Sequence, residues 1–212
     1  SGVLPIEWGV GGAAVLFGLG LGLALVLDDT FGLMLVGYLL FTTLYSFKLK
    51  RVAWIDVVTL SGLYTWRLIS GAALGGVIVS PWLLVFSLSF FLSLAGMKRI
   101  TELLDRIERG SESSYGRDYA IEDWRRMAWL VGVSLVCALT TFFAYLQAPT
   151  TALLYPEIVF VWGILPVLAL WLTWMFWATL TGRMHDDPIV FAAMDPVSWL
   201  SGVVTAVLLL TA

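Results

Sequence analysis

Long runs without charged residues alternate with short polar segments along the chain. The charge-free runs cover residues 8–27, 30–47, 127–156 and 158–182. A bilayer core of about 30 Å requires about 20 apolar residues per helix. The stretch 52–97 has only two charged residues and is long enough for two helices, with a break near Gly75, Gly76 and Pro81. With a short final run over 196–212, the pattern predicts seven transmembrane helices.

Composition supports lipid as the solvent of this chain. The 212 residues are 60% hydrophobic and 13% charged, and they include 11 Trp, a balance that a soluble domain of this size could not bury. We therefore predict an all-α membrane protein, with residues 1–212 forming a single transmembrane helical domain. The net charge of −3 and the lack of a basic cluster exclude nucleic-acid binding, which needs concentrated Lys and Arg.

The basic residues predict the orientation. Eleven of the twelve fall in three alternate loops: Lys48 to Arg51, Lys98 to Arg126, and Arg183. Loops rich in Lys and Arg stay on the cytoplasmic side. We therefore expect a multi-pass protein of the plasma (inner) membrane, with a cytoplasmic N-terminus and an external C-terminus.

Two ionisable residues, Asp56 and Arg67, lie within a predicted span. Such residues are costly in lipid unless they face the bundle interior or water. At 100° per residue they share a polar stripe with Thr59 and Ser70. Arg67 is expected to serve an internal cavity. For Asp56 the alternative is a simple cap at the cytoplasmic helix end.

The segment from Lys98 to Arg126 is the only substantial soluble segment. Helical spacing of Ile100, Leu103 and Ile107 predicts that the preceding span continues as an amphipathic helix as far as Gly110. Its charges are read either as a solvated, salt-bridged face or as a phosphate or headgroup site at the mouth of the bundle. Sequence spacing leaves both open.

Glycine spacing gives a weaker signal. Gly18 and Gly22, and again Gly71 and Gly75, have the four-residue separation that lets helices approach closely in lipid. Packing inside one bundle is favoured over dimerisation.

Three segments carry a resemblance to a known family. They are Tyr45-Ser46-Phe47-Lys48-Leu49-Lys50-Arg51, Lys98-Arg99-Ile100-Thr101-Glu102-Leu103 and Arg183-Met184-His185-Asp186-Asp187-Pro188. In this order they resemble the UbiA superfamily of intramembrane prenyltransferases, and most closely its decaprenyl-phosphate phosphoribosyltransferase branch. The lone His185 lacks a second His or Cys for a transition-metal site, and Pro188 is read as shaping a turn.

The resemblance implies a nine-helix bundle whose cavity opens sideways to lipid, of which this chain matches the C-terminal seven helices. The family's first Asp-rich motif, NDxxDxxxD, holds magnesium and has no counterpart here. Relatives have a Ser-Gly pair shortly after that motif, and this chain begins Ser1-Gly2. We therefore expect an N-terminally truncated member that lacks the first two helices and is inactive by itself, with Mg2+ as the cofactor of the complete protein.

The resemblance, together with the charges within and beside the spans, indicates the site residues. The family's second motif, DxxxD, is matched by Lys98 to Glu102, with a lysine in place of the first aspartate. This departure favours phosphoribosyl diphosphate as the phosphorylated donor and a polyprenyl phosphate as the acceptor, since cations stabilise additional phosphate charge. The expected catalytic residues are Lys98, Arg99 and Glu102. The expected substrate-binding residues are Tyr45, Lys48, Lys50, Asp56, Arg67, Arg117 and Tyr119.

Two other functions stay open. The chain could transfer a prenyl group from its diphosphate to an aromatic or lipid acceptor. It could instead be a small transporter or lipid-binding membrane protein that works without magnesium, in which Asp56 and Arg67 would be pathway residues.

Overall fold

The computed structural model describes residues 6–110, 118–184 and 187–212, and every regular element in these ranges is helical. The all-α prediction is confirmed. The helices are α1 (Ile6–Leu27), α2 (Asp29–Phe47), α3 (Ile55–Leu74), α4 (Pro81–Arg109), α5 (Asp123–Gln147), α6 (Pro149–Ala152), α7 (Ile158–Leu180), α8 (Pro188–Met194) and α9 (Pro196–Thr211).

Local capping chemistry sets several helix ends. The Asp28 side chain accepts from the Phe31 amide at 2.7 Å at the start of α2. Ser80 caps α4 in the same way, with Pro81 in the first turn, where a missing amide proton costs nothing. Gly110 ends α4 with a φ of 58°, a left-handed conformation that glycine adopts without a steric penalty. The predicted amphipathic extension of α4 is thus confirmed.

All seven predicted helices form, although they differ in how well they suit a bilayer. Among the described residues, α1, α2, α4, α5 and α7 are each long and apolar enough to cross a membrane. A sixth span results if α8 and α9, which meet at 82°, are counted as one. The seventh predicted span is α3, whose 20 residues suffice in length but include Asp56, Arg67 and several hydroxyl side chains. The chain is therefore a multi-pass membrane protein, and its described residues contain five to six clearly apolar spans.

The helices pack mainly against their sequence neighbours. α1 contacts α2, α2 contacts α3, and α3 contacts α4; α4 and α5 form the centre, and α7 lies against both of them and against α9. The main core lies where α4, α5 and α7 meet, around Met97, Met127, Val131 and Met175, each fully buried. This core supports the end of α4 that carries Arg99.

α4 and α5 come closest together at Gly96. A Cβ added there would lie 2.5 Å from Cγ2 of Val131, so only glycine fits without a shift of the neighbouring helix. The predicted glycine pairs do not act this way: Gly18, Gly22 and Gly71 have no atom within 4 Å of an added Cβ.

Candidate functional site

A buried ion pair joins α3 to α4. Asp56, in the first turn of α3, is fully buried, and its Oδ2 accepts a hydrogen bond from Nε of Arg99 at 2.5 Å. Its Oδ1 accepts from the Val57 amide at 2.8 Å and from the Tyr119 hydroxyl. Charge removed from water requires this kind of full pairing. Asp56 is therefore more than the helix cap that was the alternative reading of the sequence.

Tyr119 brings the connection between α4 and α5 onto this pair. Its hydroxyl donates to Asp56 and accepts from the backbone amide of Trp54 at 2.8 Å. Trp54 has a φ of 69°, the only positive φ among described residues other than glycine, and its ring meets the Tyr119 ring edge-on at 6.0 Å. Burial, and then the hydrogen bond to Asp56, raise the pKa of Tyr119 above its ordinary value, so the hydroxyl stays a neutral donor.

Arg99 is held between two carboxylates. Besides Asp56, it pairs through Nη1 with Glu102, three residues further along α4. The Arg99 side chain is only 1% exposed, whereas that of Glu102 is 26% exposed. Tyr45, half-buried near the end of α2, lies within electrostatic range of Arg99. The guanidinium is thus fixed inside the protein, and Glu102 is the member of this cluster that reaches the surface.

Lys98 faces the other way and joins α4 to α8. Its Nζ lies 2.5 Å from Oδ2 of Asp187, and the two side chains are 36% and 29% exposed. Asp187 also caps α8 by accepting from the Ile189 amide at 3.0 Å. Burial alone would raise the pKa of Asp187, but the hydrogen bonds from Lys98 and Ile189 and the nearby positive charges hold it below its ordinary value. Asp187 is therefore ionised at neutral pH.

A small cavity of about 40 Å3 lies beside the Lys98–Asp187 pair. Its walls come from α3, α4 and α8, and apart from the ion pair they are mostly apolar. The lining residues are Leu60, Tyr64, Phe91, Leu94, Ala95, Lys98, Asp187, Pro188 and Ile189. An accessible ammonium group thus stands at the edge of an apolar space.

The remaining predicted residues lie around or apart from this cluster. Lys48 is exposed and Lys50 half-buried, both at the turn between α2 and α3. Arg67 is exposed and interacts with α2 through the Tyr38 hydroxyl, at 2.7 Å from its Nε. The predicted polar stripe of α3 is therefore divided between two environments. Asp56 is buried because α4 and Tyr119 cover the first turn of α3, whereas Arg67 is exposed. Arg117 lies outside the described residues.

The sequence reading missed Asp187, Tyr38 and Tyr64 as members of the site. Asp187 belongs to the segment Arg183 to Pro188, which was interpreted as part of the family resemblance and as a turn at Pro188, but not as a partner of Lys98. Its lysine partner is 89 residues away, and no periodicity links them. The signal that could have suggested a partner for Lys98 is the presence of acidic residues in another of the predicted cytoplasmic loops.

The described carboxylates do not fit a complete magnesium site. Among the residues that the structure describes, no group of three or more His, Cys, Asp or Glu could hold a metal ion. Asp56, Glu102 and Asp187 are instead engaged by Arg99 and Lys98. Magnesium needs several free oxygen ligands, so this part of the chain provides mainly cations.

Comparison with known proteins gives three relatives. No protein-family model matches the chain. It is 34% identical over 208 residues to the y4nM protein of Sinorhizobium fredii, covering 97% of this chain and 40% of that protein. It is 30% identical over 159 residues to the nodulation protein NoeC of Azorhizobium caulinodans, covering 74% of this chain and 52% of NoeC.

The third relative has a named activity. The chain is 26% identical over 138 residues to the decaprenyl-phosphate phosphoribosyltransferase of Corynebacterium glutamicum, covering 64% of this chain and 42% of that enzyme. The chain thus spans about half or less of each of these relatives. This distant similarity supports the resemblance to UbiA-type membrane transferases at the level of the family.

Proposed function

We propose that this chain forms part of an integral membrane transferase of the UbiA type, which transfers phosphoribose from phosphoribosyl diphosphate to a polyprenyl phosphate. The observation that carries the proposal is the pair of neighbouring cations on α4: Lys98 is accessible beside an apolar cavity, and Arg99 is locked behind it. The distant similarity to the phosphoribosyltransferase supports the same reaction.

The proposed reaction is a substitution at the anomeric carbon of the ribose. An oxygen of the lipid phosphate attacks this carbon, the bond to the diphosphate oxygen breaks, and diphosphate leaves with the bonding electrons. Negative charge builds up on the leaving group, and a positioned ammonium stabilises it. Lys98 is the described residue suited to this contact, because its Nζ lies at the edge of the cavity.

Arg99 positions Lys98, whereas Asp187 competes with the donor for it. Arg99 is only 1% exposed, so it acts through the packing of α4 against α3 rather than by touching substrate. In the structure Lys98 pairs with Asp187. A donor phosphate would replace the Asp187 carboxylate as the partner of the lysine. Magnesium is assigned to none of the described residues, since their carboxylates do not form a site for it.

The test is an assay of the protein as its gene encodes it, reconstituted in lipid. Phosphoribosyl diphosphate would be supplied with a polyprenyl phosphate as acceptor, and a prenyl diphosphate would be supplied separately with an aromatic or lipid acceptor. We expect phosphoribosyl transfer and at least a tenfold loss of kcat/KM for the donor in Lys98→Ala, equivalent to about 1.4 kcal/mol.

The matched control is Arg126→Ala, which removes a cation that is 78% exposed at the start of α5. It should leave kcat/KM unchanged. Turnover of the prenyl diphosphate alone would support prenyl transfer instead. No turnover of either donor would leave the transporter or lipid-binding function. Equal effects of Lys98→Ala and Arg126→Ala would show that Lys98 is only a solvated surface charge.

A further inference from the structure

Arg67 provides a second cationic group, separate from Lys98. It lies eleven residues after Asp56 on α3, which places it about 16 Å further along the helix axis. Its side chain is exposed. An arginine at this depth in a membrane helix is expensive unless something satisfies its charge.

The surroundings of Arg67 fix its orientation. Nε donates to the Tyr38 hydroxyl of α2 at 2.7 Å. The guanidinium carbon lies 5.1 Å from the centre of the Tyr38 ring and 5.6 Å from that of Tyr64. Stacking on aromatic rings holds a guanidinium in place without consuming its outer hydrogen-bond donors.

The Arg67 side chain does not point the way it would if it only extended to the opposite membrane surface to reach water. Tyr64 lies one turn before Arg67, and the guanidinium packs over it. This follows the usual lean of helical side chains toward the N-terminal end of the helix. The charge therefore points toward the end of α3 where Asp56 lies, and away from Gly75.

The cluster of Arg67, Tyr38 and Tyr64 has more hydrogen-bond donors than acceptors. Tyr38 uses its oxygen to accept from Nε, which leaves its proton to donate. Within the described residues, neither Nη1 nor Nη2 of Arg67 nor the Tyr64 hydroxyl has a hydrogen-bond partner. Two adjacent guanidinium N–H groups match two oxygens of a phosphate. Tyr64 also lines the cavity beside Lys98, so the cluster adjoins the lysine that is proposed to contact the donor.

We infer that Arg67, with Tyr38 and Tyr64, binds a phosphate monoester. The inference rests on the proposed function only for the source of that group, which is either the phosphate of the lipid acceptor or the 5-phosphate of the ribose donor. Both present the same three-oxygen end. A binding experiment can separate these two sources without turnover.

The experiment measures equilibrium binding to the purified full-length protein in detergent. The probes are farnesyl phosphate with farnesol as its phosphate-free control, and ribose 5-phosphate with ribose as its control. We expect Arg67→Gln to weaken binding of one phosphate probe at least tenfold and to leave binding of the matching alcohol unchanged. Farnesyl phosphate would identify the acceptor and ribose 5-phosphate the donor.

Further variants distinguish a specific loss of binding from a folding defect. Tyr38→Phe keeps the ring and removes the oxygen that holds Nε, so it should weaken the same probe several-fold. Arg67→Lys keeps the charge but loses the paired donors, and its effect should fall between wild type and Arg67→Gln. Arg125→Gln is the matched control, because Arg125 also stacks on an aromatic ring, 5.5 Å from Trp124.

The outcomes distinguish this inference from the proposed function. Unchanged binding of both phosphate probes in Arg67→Gln and Tyr38→Phe would overturn the site even if the enzyme transfers phosphoribose. Equal weakening of a phosphate probe and its alcohol would also overturn it, since the effect would then be one of packing. Phosphate binding that depends on Arg67, in a protein that turns over neither donor, would support the site and refute the transferase.

Discussion

Arg99 and Asp56 form an ion pair 2.5 Å long between α4 and α3, and neither side chain is more than 1% exposed. Removing one partner of such a pair leaves a buried charge without compensation, at a cost of about 3–5 kcal/mol. Arg99→Met should therefore lower the free energy of unfolding by several kcal/mol. Asp56→Asn should cost less, because Glu102 still pairs with Arg99. Thermal unfolding in detergent measures both. The Asp56→Asn, Arg99→Met double variant should lose less stability than the sum of the two single losses, and a loss equal to that sum would contradict the pairing.

Tyr119→Phe tests the hydroxyl that completes the Asp56 cluster. A buried hydrogen bond to a charged group contributes about 1.5–3 kcal/mol, and this is the loss of stability expected at pH 8. The pKa of Tyr119 is raised in the folded protein, so the folded state holds the phenol proton more tightly than the unfolded state does. Its contribution is fully present below about pH 10, the ordinary tyrosine pKa, and is lost as pH rises toward the folded value. The gap between wild type and variant should be constant up to pH 10 and shrink above it; a gap that changes between pH 7 and 9 would refute this assignment.

Asp187→Asn tests whether Asp187 competes with the donor for Lys98. Asparagine caps helices about as well as aspartate, so α8 should keep its start while Lys98 loses its counter-charge. We expect the KM for the phosphorylated donor to fall several-fold with little change in thermal stability. Asp28→Asn makes the same chemical change at the cap of α2 and should leave KM unaltered. A higher KM in Asp187→Asn would mean that Asp187 positions Lys98 instead of competing for it.

Gly96→Ala tests the close approach of α4 and α5. The added methyl group would lie 2.5 Å from Cγ2 of Val131, and Val131 is fully buried and, as a β-branched residue, has few alternative rotamers in a helix. Overpacking of this kind costs about 1–3 kcal/mol. Gly132→Ala, on α5, has open space around it and should be neutral or mildly stabilising. Equal thermal stability of the two variants would show that α4 and α5 can separate without cost.

The orientation predicted from the basic loops can be tested by thiol labelling. Glu108→Cys and Thr150→Cys place single cysteines at exposed positions, in the last turn of α4 and just after α5, in a Cys137→Ala background. An impermeant reagent added outside intact cells should label the cysteine at position 150 and spare the one at 108. Labelling of both, or the reverse pattern, would refute a cytoplasmic N-terminus.

The sequence by itself determined where the helices lie. Charge-free runs, prolines and capping residues act within a few positions of one another, so they predicted the break between α3 and α4 and the end of α4 at Gly110. They also indicated Lys98, Glu102, Asp56 and Tyr119 as residues of interest, through charge in or beside a span and through the resemblance. The seventh predicted helix, α3, also forms, but its polar residues keep it out of the clearly apolar spans.

The tertiary structure decided which side chains meet. Lys98 finds Asp187 89 residues away, and Asp56 finds Tyr119 63 residues away. Such partners depend on which helices become neighbours, and helical periodicity contains no information about that choice. The same reason explains the glycines: four-residue spacing marked Gly18 and Gly22, whereas the close approach occurs at Gly96. It also explains why Arg99 and Lys98, adjacent in sequence, differ in role: Arg99 is buried against α3, whereas Lys98 stays partly exposed beside α8.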